Sequence, residues 1–191
     1  MSSTEDNFFI DRVCKGDIDA YTFLVNKYKR MAYTVALKIM RNVEDAEDAT
    51  QESFIKAYQK IHYFKKDAKF STWLYTIVYR TAVYNLRKNQ ISTTQIDEII
   101  TEEYSTEDNN VFTVAIENQL LLEKVTTAIH KLPRMESLLI SLFYTNESSI
   151  EEISIITGLS KTNIKVKLYR ARKKLKKLLD NPLTETLKKS I

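Results

Sequence analysis

Only two glycines, Gly16 and Gly158, and two prolines, Pro133 and Pro182, interrupt a chain of 191 residues. Sheets of short strands need many tight turns, and turns draw on these two residues for backbone angles that others reach only with strain. That supply is missing here. Apolar residues instead recur at three- and four-residue spacing almost throughout, the period of a helix with one buried face. The chain reads as all-α, and with 43% hydrophobic residues it can fill a core.

The same scarcity excludes several function classes. Neither GxGxxG nor GxxxxGK[ST] occurs, so no glycine-rich phosphate loop is available. Cys14 is the only cysteine, and His62 and His130 stand far apart. No disulfide, no cysteine-rich zinc site and no His/Cys or carboxylate constellation with metal-ligand spacing is legible. The expectation is therefore no catalytic residue, no metal, no cofactor and no small-molecule substrate. The opening MSSTEDNFF is acidic and lacks a basic segment followed by an apolar run, and no stretch approaches ~20 apolar residues. A cytoplasmic chain without membrane insertion is expected.

Net charge is only +4, but its distribution is uneven. Residues 161–177 carry nine Lys or Arg and no acid, whereas residues 89–118 carry seven acids and no base. A chain sorted in this way suits a nucleic-acid contact at the end and a segment kept off the DNA in the middle.

Taken in order, residues 1–6 are expected to fray. Two amphipathic helices follow, the first ending at Gly16 and the second capped by Asp17 or Asp19, with Phe23, Leu24, Tyr28, Met31, Val35 and Ile39 inward. Asn42 opens a third, EDAEDATQESFIKAYQKI, whose wheel gathers Asp45, Asp48, Glu52 and Gln59 on one face. These acids are either an ordinary N-terminal bias or a face presenting carboxylates and Gln51 to a basic protein. Phe54 and Tyr58 widen the apolar arc beyond one core contact, which favours the second reading. The fourth helix, KFSTWLYTIVYRTAVYNLRK, has Ser71 or Thr72 as candidate cap and buries Phe70, Trp73, Leu74, Ile77, Val78 and Ala82. Its other side carries Thr76, Tyr79, Arg80, Val83 and Arg87, a mixture of rings, hydroxyls and guanidinium groups that suits either solvent or phosphates and unstacked bases. These helices form one domain over residues 7–88. Residues 89–113 are an acidic flexible linker, a plain tether or the occupant of a basic channel meant for RNA.

A second small helical domain spans residues 114–180. Leu120, Leu121, Val125, Ala128 and Ile129 continue the apolar spacing, Leu132-Pro133 breaks it, and a helix over 134–144 buries Leu138, Leu139, Leu142 and Phe143. Ser148 or Ser149 then caps a short helix with Ile150, Ile153 and Ile156 inward, Gly158 makes the turn, and Ser160 caps the last helix. That order is a helix-turn-helix. On the last helix Ile164, Leu168, Ala171, Leu175 and Leu178 form the packing seam, and Thr162, Asn163, Val166, Tyr169, Arg170 and Lys173 lie opposite. A recognition helix needs this arrangement, because only its outward side reaches base edges in a major groove. Arg170 suits a guanine and Asn163 an adenine, while Lys161, Lys165, Lys167, Arg172 and Lys174 flank them where phosphates would lie. A merely solubilising lysine-rich helix is the rival. Nine bases without an acid repel one another in a free helix and are better explained by a polyanion.

The segments GDIDAYTFLVNKY at 16–28, EDAEDATQESFIKAY at 44–58, FSTWLYTIVYR at 70–80, LP at 132–133 and EEISIITGLSKTNIKVKLYRARKKL at 151–175 together resemble the sigma-70 family of bacterial transcription initiation factors. The likeness is to its extracytoplasmic-function (ECF) group, and it covers nearly the whole chain. It implies that Asp48, Gln51, Glu52, Phe54 and Tyr58 dock on the clamp helices of the largest subunit of core RNA polymerase. It implies that Phe64, Lys66 and Lys69, with Trp73, Thr76, Tyr79, Arg80, Val83 and Arg87, melt the minus-ten element of promoter DNA and capture an extruded base. The second domain would read the minus-thirty-five element, with Lys165, Val166, Tyr169 and Arg170 facing bases and Ser160, Lys161, Thr162, Asn163, Lys167, Lys173 and Lys174 around them. The linker resembles a segment threaded toward the RNA exit path, and an anti-sigma partner is a further family expectation. Arg80 stands where the family usually has Asn, Asn85 where it often has Asp, and Val166 where a small polar residue is commoner. Two domains on a flexible tether would have no fixed spacing, so the free factor should bind DNA poorly until polymerase spaces them. The alternative is a stand-alone helix-turn-helix regulator binding a palindromic operator as a dimer.

Overall fold

The computed structural model describes residues 4–92 and 115–180, all of the secondary structure among them helical. The expected linker falls almost wholly on residues outside that description.

Helix α1 (Thr4–Cys14) begins earlier than the frayed start expected from sequence. Asp6 anchors it: buried, its carboxylate accepts from Lys27 Nζ at 2.8 Å and from the Tyr28 hydroxyl at 2.7 Å. Gly16, with φ +92°, turns the chain into α2 (Ile18–Met40), where Asp17 accepts from the Ala20 N–H and so meets one of the helix's orphan donors. Arg41 takes the left-handed conformation that ends α2, and Asn42 caps α3 (Val43–Lys60) by accepting from the Asp45 N–H.

The buried side of α3 is made of small residues, Ala46, Ala49, Thr50, Ser53 and Ala57. Small side chains let α3 lie close to α2 and α4, and the two hydroxyls are satisfied by the Ala46 and Ala49 carbonyls at 2.6 and 2.5 Å. A 3-10 turn (Ile61–Tyr63) leads to α4 (Phe70–Ser92). Ser71 and Thr72 therefore lie inside α4 and do not cap it. Phe70, Leu74, Val78 and Ala82 are buried as expected, Trp73 and Ile77 only half so, and Tyr75 is buried although the single-face wheel left it out. The buried arc is wide because α4 is covered by α2, α3 and α7 at once.

Helices α5 (Ala115–His130) and α6 (Arg134–Ile140) meet at Leu132-Pro133, and a π turn (Ser141–Thr145) replaces the last turn of the expected 134–144 helix. Leu121, expected inward, is exposed. Helix α7 (Ile150–Thr157) opens on a reciprocal cap: the Ser149 hydroxyl accepts from the Glu152 N–H, and the Glu152 carboxylate accepts from the Ser149 N–H at 2.7 Å. Gly158, φ +73°, closes α7, and Ser160 caps α8 (Lys161–Leu179).

The two halves do not float apart. α7 packs on α4 and α6 on α2, and one continuous cluster of buried side chains runs from Ile10 to Ala171. The expectation of unfixed spacing departs from these contacts: Trp73 and Ile77 on α4 and Ile150 on α7 all pack against that one cluster, so apolar burial joins the halves.

Candidate nucleic-acid and protein interfaces

Helix α8 keeps its seam inward, with Ile164, Leu168 and Ala171 fully buried and Leu175 and Leu178 half so. The opposite side is open: Thr162, Asn163, Lys165, Val166, Tyr169, Arg170 and Lys173 are all exposed, Tyr169 at 64%. Ser160 is occupied as the cap, accepting from the Asn163 N–H at 3.3 Å, and Lys167 is half-buried. Lys161 forms an ion pair with Glu151 of α7 at 2.7 Å, which holds the Glu151 carboxyl below its ordinary value. Lys174, expected among the phosphate contacts, is already paired within the fold. Its Nζ sits 2.9 Å from both carboxylate oxygens of Glu136, a buried acid on α6, so it is the counter-charge of that acid.

On α3, Asp48 and Gln51 are exposed and Tyr58 stands out beside Tyr21, ring centroids 4.9 Å apart. Phe54 is not on this face. It is 8% exposed, and its carbonyl accepts the Tyr21 hydroxyl at 2.5 Å. The apolar surface there comes from Ile55 and from Ile18 at the start of α2, 59% and 68% exposed, neither of which a core-seeking wheel picks out. Glu52 is partly spoken for: Lys56 lies 2.7 Å away and the Asn85 amide donates to it at 2.9 Å. Lys56 and then Asn85 pull its carboxyl below the ordinary range. An amide at 85 can donate to the Glu52 carboxylate, where a carboxylate would repel it.

The expected minus-ten set is divided. Arg80 and Arg87 are exposed on α4, and Thr76, Tyr79 and Val83 are half-buried beside them. Burial pushes the Tyr79 phenol up. Phe64 is a core residue, 7% exposed and packed on Phe70 and Trp73 with centroids 5.7 and 5.3 Å away. Lys66 is held by Asp11 of α1 at 2.5 Å, and Lys69 by Glu152 of α7 at 2.8 Å. Sequence reasoning missed Tyr63 and Tyr84, the former 79% exposed at the start of the loop. A tyrosine outside the apolar stripe but next to three lysines was the available signal.

Among the described residues no group of three or more His, Cys, Asp or Glu could hold a metal, and no helix is long and apolar enough to cross a membrane.

Two family models match the chain, sigma-70 region 2 over residues 24–91 and sigma-70 region 4 over residues 122–175. The ECF RNA polymerase sigma factor SigW of Bacillus subtilis is 32% identical over 182 residues, covering 89% of this chain and 94% of that one. The ECF RNA polymerase sigma-E factor of Escherichia coli is 31% identical, covering 87% and 90%. The fold is shared with RpoE of Bartonella quintana, solved in complex with the anti-sigma factor NepR (TM-score 0.70, 22% identity, 84% of this chain and 98% of that one). It is shared likewise with CnrH, solved in complex with the cytosolic domain of CnrY (TM-score 0.64, 22% identity, 92% and 97%). The chain belongs to the sigma-70 family, within its ECF group of RNA polymerase sigma factors.

Proposed function

We propose that this chain is a dissociable specificity subunit, with no reaction of its own, that works in the cytoplasm by carrying core RNA polymerase to a promoter. Residues 7–88 dock on the polymerase clamp helices and open the minus-ten element, residues 89–113 link, and residues 114–180 grip the minus-thirty-five element. The observation that supports this most is the open side of α8, where Thr162, Asn163, Val166, Tyr169, Arg170 and Lys173 stand clear of the fold on a helix whose seam is buried. Such a side can enter a major groove without disturbing the core.

The docking surface is Asp48, Gln51, Glu52 and Tyr58 with Ile55 and Ile18, carboxylates around an exposed apolar centre. Elsewhere on the same domain, Tyr79, Arg80, Val83 and Arg87 of α4 and Tyr63 of the turn before it offer stacking planes and cations. Unpairing and unstacking a base costs a few kcal/mol, and each stacked base returns roughly 1 to 3 kcal/mol, so a preorganised pocket can trap an opened base without ATP. Lys69 is tied to Glu152 and α7 lies on α4, so promoter engagement requires α7 to leave α4. Polymerase supplies the surface that makes this possible. An anti-sigma partner is part of the same proposal, since the fold is one that other chains present to such inhibitors.

Run-off transcription with core polymerase on a promoter library tests the proposal. New start sites that require the chain are expected. Failure to redirect polymerase, or tight binding to a palindromic duplex without polymerase, would overturn it.

A further inference from the structure

Where α2 packs on α6, and Arg41 donates to the Leu132 carbonyl in the bend between α5 and α6, four basic side chains from three helices and a turn come together. They are Lys38 near the end of α2, Arg41 in the turn after it, His130 at the end of α5 and Arg134 at the start of α6. They act on one another. Burial comes first in each case; after it Arg41 pulls down Lys38, Lys38 and then Arg41 pull down His130, and Arg134 pulls down Arg41. Among the described residues no carboxylate hydrogen-bonds or ion-pairs with any of the four. Lys38 is 8% exposed with no hydrogen-bond partner there, and burial brings its ammonium down to about 8, which still leaves it charged at neutral pH. A buried lysine without a counter-charge is costly and calls for an anion.

Helix-end electrostatics does not explain the group. Cations near carbonyl ends are favourable, which covers His130 and Arg41, and the Arg41 guanidinium does donate to the Leu132 carbonyl. The same field disfavours Arg134 in the first turn of α6, and it gives no reason to bury Lys38. Arg41 is also held at φ +58°, a conformation that a residue with a Cβ adopts at some cost and that persists where the surroundings fix it. Two guanidinium groups, an imidazole and an ammonium around one corner form a donor set matched to a phosphate group.

We propose that this corner is a binding site for a phosphate-type oxyanion, gripped by Lys38 and Arg41 from the first half of the chain and by His130 and Arg134 from the second. An occupant touches both halves, so it favours the packed arrangement over the parted one. Phosphate of this kind comes either from a free phosphorylated compound or from the backbone of DNA, and the two are separable.

The full chain is titrated with inorganic pyrophosphate by calorimetry at fixed ionic strength in chloride buffer. Saturable binding near one per chain is expected, weakened about tenfold or more in Lys38→Met and in Arg134→Gln and unchanged in Lys29→Gln, an exposed lysine of α2. Without ligand, Lys38→Met melts no lower than the parent, so lost binding cannot be lost folding. A parallel titration uses a random duplex of about 20 base pairs. Dependence on Lys38 and Arg134 with the duplex alone assigns the phosphate to DNA, and with pyrophosphate to a free compound. If neither probe depends on these two residues, or Lys29→Gln weakens binding as much as they do, the site does not exist.

Discussion

Replacing Lys174 with alanine separates two accounts of the most basic helix in the chain. Both carboxylate oxygens of Glu136 lie 2.9 Å from Lys174 Nζ, and the Glu136 side chain is 10% exposed against 48% for Lys174. Breaking a fully buried pair costs about 3 to 5 kcal/mol, because the remaining charge is stranded. Here the lysine side is half in water, so solvent partly replaces it and the cost falls to about 1 to 3 kcal/mol. For a chain of this size a 2 kcal/mol loss lowers the melting midpoint by about 4 to 8 °C. Urea denaturation of Lys174→Ala, Glu136→Gln and the double variant Glu136→Gln/Lys174→Met reads the coupling directly, and the double variant should recover most of the loss. The rival account, a lysine spent on a DNA phosphate, predicts unchanged stability and a salt dependence flattened by about one unit of slope. Stability within about 0.5 kcal/mol of the parent, together with that flattening, would refute the structural reading.

Arg170→Ala should lose about 1 to 3 kcal/mol of discrimination at one promoter position, measured on a library, and an equal loss on all sequences would remove it from the base-reading set. Asp48→Arg with Ile55→Arg should abolish co-purification with core polymerase while circular dichroism stays helical; retained binding would dismiss the α3 face. Lys38 is held at about 8 when folded against an ordinary 10.5, so its penalty is full below pH 8 and fades as pH rises. Between pH 7 and 9.5 stability should climb by about 2 kcal/mol, a rise absent in Lys38→Met; equal slopes in both would count against it. Gly158→Ala meets nothing within 4 Å, so its cost is the left-handed backbone alone, about 1 to 2 kcal/mol in a melting experiment, and no change would contradict the φ of +73°.

The helix ends were the most legible part of the chain. Asp17, Asn42, Ser149 and Ser160 each cap the helix that a polar residue before an apolar run announces, and Gly158 sits where only a left-handed turn will do. These are local devices, written within three or four residues of where they act. What the sequence hid depends on partners far along the chain. Phe54 and Ile55 are neighbours, one buried and the other 59% exposed, and which of them faces water depends on how α3 packs on α2 and α4. Lys66, Lys69 and Lys174 look alike as free cations, and each is engaged by an acid on a helix distant in sequence. Phe64 reads as a loop aromatic until Phe70 and Trp73 enclose it.

The joining of the halves follows from burial more than from charge. The Lys69–Glu152 pair is half exposed on its lysine side, and such pairs contribute about 0 to 1 kcal/mol. Glu152 would hold its place without Lys69, since its carboxylate is already fixed by the Ser149 N–H. What joins α7 to α4 is the shared core, against which Trp73 and Ile77 of α4 and Ile150 of α7 all pack. At roughly 25 cal/mol per Å² of apolar surface, a shared core running through both halves outweighs one screened ion pair. Salt therefore loosens the α4–α7 contact little, and a partner that parts the halves must offer apolar surface of its own. The exposed Ile18, Ile55 and Tyr58 show the first half already carrying a patch suited to such a partner, on a different helix from the contact that must open.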